Sequence, residues 1–96
     1  MSKTVKLKAK LEDVIIELEG ELNVGGKPVS KIIMRQPLIR DIKLVDHIED
    51  EIENNATLIA NLTGHTVEEI ESLPIHIFEG LVEGLQSFQS SKEVMS

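Results

Sequence analysis

The sequence predicts an α+β fold, an N-terminal antiparallel β-hairpin or small three-stranded sheet followed by a C-terminal bundle of about three helices. Three observations carry this. Apolar residues recur at about every second position before Pro37 and at every third or fourth position after it. A Gly25-Gly26 pair, followed by Lys27-Pro28, punctuates the first part. The charge changes at the same boundary: residues 1–37 hold seven bases and five acids, residues 38–96 three bases and twelve acids, so the two parts carry +2 and -9 of the total of -7.

The elements follow in order. Val5, Leu7, Ala9 and Leu11 alternate with Lys6, Lys8 and Lys10, which predicts a half-buried strand over residues 3–11. Ile16, Leu18, Leu22 and Val24 keep nearly the same period of two, and residues 29–34 are rich in β-branched and apolar side chains, so residues 13–34 read as a hairpin. Gly25-Gly26 supplies the positive φ angles of its turn. No third glycine and no strand-to-helix context follow, so the pair does not read as a phosphate loop.

Beyond Pro37, Ile42, Val45, Ile48, Ile52, Ala56, Ile59 and Leu62 fall on one helical stripe, with acids around the other faces. The stripe keeps its phase through Asn54-Asn55, a pair of poor helix formers, which predicts one continuous amphipathic helix here rather than a kinked pair. Gly64 stands where a helix terminates, and Thr66 with Glu69 forms a capping box that opens a short helix closed by Pro74. The last helix covers residues 75–88, with Ile75, Phe78, Val82, Leu85 and Phe88 as its apolar stripe, and residues 89–96 form a polar tail. All 96 residues are expected to make a single domain, its β part at about 3–36 and its helical part at about 38–88.

Composition excludes several functions. Cysteine is absent, which removes disulfides, thiolate metal sites and thiol nucleophiles. Aromatic content of 2% and an acidic balance disfavour nucleic acid, since base stacking and phosphate attraction both lack their residues. No apolar run reaches the length of a signal core or a membrane span, so a cytoplasmic protein is expected. The acidic run at residues 46–53 is interrupted by apolar residues at helical spacing, unlike a calcium loop, and His47 with Glu51 lacks further ligands. His65 and His76 have no neighbouring groups in triad order, and Glu68-Glu69 suits the first turn of a helix. No catalytic site, metal or cofactor is expected. Gly80 and Gly84 lie four apart in a helix, where each costs about 1 kcal/mol relative to Ala, and so invite close packing. Either another helix of the same domain crosses there, or a partner helix docks on a surface formed with Phe78, Leu81, Leu85 and Phe88.

The order of motifs is informative. A strand ends at Met34-Arg35-Gln36-Pro37, with Asp41 four residues beyond the proline and an acidic helix after it; Leu62-Thr63-Gly64 follows, then Thr66 to Glu69, Leu73-Pro74 and a final apolar helix. This resembles the tail assembly chaperones of contractile-tailed, Mu-like bacteriophages, whose strand-to-helix junction reads as Arg-x-Pro then Asp and whose centre reads as Leu-Thr-Gly, a Glu-containing turn and a Leu. The resemblance spans about residues 22–88 and maps onto Arg35, Pro37, Asp41, Leu62, Thr63, Gly64, Glu69 and Leu73, all structural in role. It implies a non-catalytic protein of the host bacterial cytoplasm, absent from the mature virion, that binds the tape measure protein and keeps it soluble until the tail tube polymerises around it. The tail tube protein, a frameshifted longer form and a second copy of the chain are further implied partners; nucleic acid and membranes are not. Two other readings remain at this level: an acidic regulatory module that occupies a basic surface of a partner protein, and a small enzyme using His47, His65 or His76.

Overall fold

A computed structural model of the chain describes residues 12–89; the strand expected over residues 3–11 lies outside them. The order is β1 (Val14–Val24), β2 (Lys27–Met34), α1 (Ile39–Val45), α2 (Glu51–Thr63), α3 (Val67–Glu71) and α4 (Ile75–Gln89). This is the α+β arrangement expected, a two-stranded antiparallel sheet and then helices.

The hairpin closes through Gly25 and Gly26, with φ of 61° and 81°, between the paired Val24 and Lys27. Positive φ at both central residues matches the right-handed twist of the flanking strands and suits glycine. The register shifts between Glu17 and Leu22, where β1 carries extra residues relative to β2 and Gly20 has a φ of 93°. The inward side chains of β1 (Val14, Ile16, Leu18, Leu22 and Val24) are shielded to varying degrees, whereas Ile15 and Ile33 pair on the opposite, exposed face.

The continuous helix expected over residues 42–62 is two helices. The chain breaks at 46–50, where Asp50 leaves helical geometry and accepts the Glu53 N–H at 2.8 Å as the N-cap of α2. Helix α2 runs unbroken through Asn54 and Asn55. Asn54 braces the break: its side-chain amide donates to the carbonyls of Val45 (2.8 Å), which also accepts the Ile48 N–H at 2.9 Å, and of Ile48 (3.2 Å). The expected stripe is buried only in part. Val45, Ala56, Ile59 and Leu62 enter the core, while Ile42 and Ile52 are exposed.

Helix α2 packs on β2 and α4 on β1, so the inner face of the hairpin meets both long helices. Among the described residues the core comprises thirteen buried apolar side chains, of which Met34, Ile59, Ile70 and Leu81 are the largest fully buried ones. Truncating any of these four to Ala costs about 2–5 kcal/mol. Phe78, Val82 and Phe88 of the expected α4 stripe are partly buried and Leu85 is buried, but Ile75 is 73% exposed and Leu81 takes the innermost place. Helix α4 presents Leu81 and Leu85 to the core and carries Ile75 at its outer edge.

Candidate functional site

The motif residues converge on two junctions. At the first, the strand turns into helix α1: β2 ends at Met34, the Arg35 N–H turns away to the Leu62 carbonyl, and Pro37, with no N–H to donate, lies between strand and helix. The Arg35 guanidinium then donates to both carboxylate oxygens of Asp41, at 2.9 and 3.0 Å. Asp41 also accepts the Leu38 N–H at 2.7 Å, which supplies the helix start that Leu38, with no side-chain acceptor, cannot make for itself. Asp41 is 5% exposed, the one buried charged residue among those described. The Arg35 hydrogen bonds, and next the Leu38 N–H, hold its carboxyl at about 2 against an ordinary 3.8. The same contact raises the Arg35 pKa.

The second junction follows α2. The Thr63 hydroxyl donates to the Ile59 carbonyl at 2.8 Å, and Gly64 takes a left-handed φ of 78° while its N–H returns to Ala60. Thr66 and Glu69 make the expected reciprocal box at 3.1 and 3.0 Å. The Thr66 N–H, and then His65 through its Nδ1 at 3.1 Å, lower the Glu69 pKa. The junctions are tied by the Arg35 N–H, which donates to the Leu62 carbonyl at 3.1 Å. Glu69 also lies against the hairpin turn, since a Cβ on Gly25 would run into its carboxylate. Leu73, in the connection between α3 and α4, is buried in the core. Of the remaining sequence candidates, His47 is exposed in the turn after α1 and His76 in the first turn of α4. Among the described residues no group of three or more His, Cys, Asp or Glu is placed to hold a metal, and no helix is long and apolar enough to cross a membrane.

The surface predicted around Gly80 and Gly84 is divided between two faces of α4. Both glycines face the chain's own sheet, not the crossing helix that was expected: a Cβ at Gly84 would lie 2.7 Å from Val14 Cγ1 and 3.3 Å from Met34 Cε, and one at Gly80 3.8 Å from Ile16 Cδ1. Leu81 and Leu85 are core residues at 0% and 4% exposure. Phe78 points another way, into a shallow groove between α4, the first half of α2 and the end of α3. Ile52 and Ile75, 69% and 73% exposed, stand on the walls of this groove. Sequence periodicity missed both, because it assigned them to the core stripe.

The fold and its junctions define a small α+β domain organised about a strand-to-helix switch, with an apolar groove on its acidic helical side. The family model described as phage tail assembly chaperone proteins, E, or 41 or 14, matches residues 15–90. The chain belongs to this family of phage tail assembly chaperones. No curated protein and no solved structure matches it.

Proposed function

We propose that the chain binds the tape measure protein of its phage and keeps it soluble in the host bacterial cytoplasm until the tail tube polymerises around it. It acts by binding, without catalysis, and leaves before the virion is complete. Family membership across residues 15–90 is the observation that carries this reading. The surface chemistry is compatible with it: a holdase needs exposed apolar contacts to substitute for those of its client, and charge around them to keep the complex dispersed. Ile52 and Ile75 provide the first and the acids of α2, α3 and α4 the second. The tail tube protein, a frameshifted longer form and a second copy are the further partners this role would bring.

Co-expression with the tape measure protein tests the reading. The client should move from the pellet to the supernatant when the chain is present and should co-purify with it. A client that stays insoluble at equal expression, or is soluble alone, refutes it.

A further inference from the structure

The groove between α2 and α4 has a composition that specifies its occupant. It consists of two adjoining depressions that share Ile52, Phe78 and Glu79. The floor and walls are apolar: Ala56, Ile70 and Leu73 below, Ile52, Ile75 and Phe78 at the sides, and Val82 further along α4. Four carboxylates, Glu51, Glu71, Glu79 and Glu83, line the same surface, and among the described residues no Lys or Arg does. The groove follows α4 from Ile75 to Gln86, about 16 Å at the helical rise, which matches roughly three turns of an incoming helix. Helix α1, the helical segment that carries the exposed Arg40 and Lys43, is only seven residues long and too short to fill it.

We infer that this groove binds an amphipathic helical segment of a partner protein, one with an apolar stripe flanked by Lys and Arg. The stripe enters between Ile52, Ile75 and Phe78, and the basic flanks meet Glu51, Glu71, Glu79 and Glu83. The inference rests on the chaperone reading for the identity of that partner, and it locates client capture on the face of α4 away from Gly80 and Gly84. A basic surface without an apolar stripe would satisfy only the rim, and an acidic helix only the floor.

Three synthetic 18-residue peptides test this by NMR titration of the full chain: a Leu stripe with Lys flanks, the same stripe with Glu flanks, and the Lys peptide with its Leu positions scrambled. The Lys-stripe peptide should shift the resonances of Ile52, Ile75 and Phe78 and bind at least tenfold tighter than the other two. The exposed-site double variant I52D/I75D should bind it at least tenfold more weakly with an unchanged circular dichroism melt, and E79K/E83K should come to prefer the Glu-flanked peptide. Equal binding of all three peptides, no shifts at the groove, or binding unaffected by I52D/I75D overturns the proposal. So does concentration dependence of the groove resonances in the free chain, which would assign the groove to a second copy. Co-expression separates the two readings: if I52D/I75D solubilises the tape measure protein as well as the wild type does, the groove assignment fails while the chaperone reading stands. If the wild type does not solubilise it, although the Lys-stripe peptide still binds in the groove, the chaperone reading fails and the partner must be sought elsewhere.

Discussion

Arg35 and Asp41 form a two-pronged ion pair, 2.9 and 3.0 Å, across the point where the last strand becomes the first helix. The Asp41 side chain is almost wholly enclosed at 6% exposure, while the Arg35 side chain remains 44% exposed. Asp41 therefore has its partners fixed: the guanidinium on one side and the Leu38 N–H on the other. The arrangement ties the start of α1 to the residue after β2.

Replacing Asp41 by Asn should destabilise the fold by about 1–2 kcal/mol, since a charge-assisted pair and a helix-start acceptor weaken while the partly solvated Arg35 recovers hydration. Urea unfolding should show a lower midpoint with the slope retained. A wild-type midpoint would mean that the pair contributes nothing net.

The same residue dictates an acid response. Its folded pKa of about 2 lies below the ordinary 3.8, so its stabilisation is complete above about pH 4 and is lost as pH falls through 2. The shift corresponds to about 2 kcal/mol, reduced towards about 1 by solvent around the guanidinium. The stability gap between wild type and Asp41→Asn should be full at pH 5 and shrink steadily towards pH 2. A gap independent of pH would contradict the assignment.

Asn54→Leu should cost about 1–2 kcal/mol, because the Ile48 carbonyl loses its side-chain donor and the Val45 carbonyl keeps only the Ile48 N–H where α1 meets α2. Asn61→Ala, at an exposed site of the same helix, should be neutral or slightly stabilising in the same thermal melt.

The two glycines of α4 should respond in opposite directions. At Gly80 an added Cβ meets Ile16 at an ordinary 3.8 Å, so Gly80→Ala should raise stability by up to about 1 kcal/mol through helix propensity. At Gly84 the Cβ would sit 2.7 Å from Val14, a stiff β-branched side chain, and Gly84→Ala should lower the melting temperature. Equal effects at the two sites would show that the helix and the strand are not held in this contact.

Much of the chain was legible because its signals are local. The Gly25-Gly26 turn, the end of α2 at Gly64 and the Thr66 to Glu69 box each depend on a few neighbouring residues whose backbone preferences and hydrogen-bond reach are intrinsic. The break at 46–50 was also written locally, as Asp50 three residues before Glu53, but an apolar stripe in unbroken phase concealed it. Periodicity reports which residues share a face; it does not say whether the helix is continuous.

The sequence by itself determined the class of fold, the boundary at Pro37 and the family pattern, because these rest on backbone preference and residue order. Tertiary structure alone decided the rest. It brought the Arg35 N–H to the Leu62 carbonyl, turned Gly80 and Gly84 towards β1, and left Ile52 and Ile75 in the open beside Phe78. The physical reason is that a helical stripe wider than one contact can be shared between a sheet and a second surface. Which residues each surface receives depends on how the helices cross, and no short-range property of the chain contains that angle.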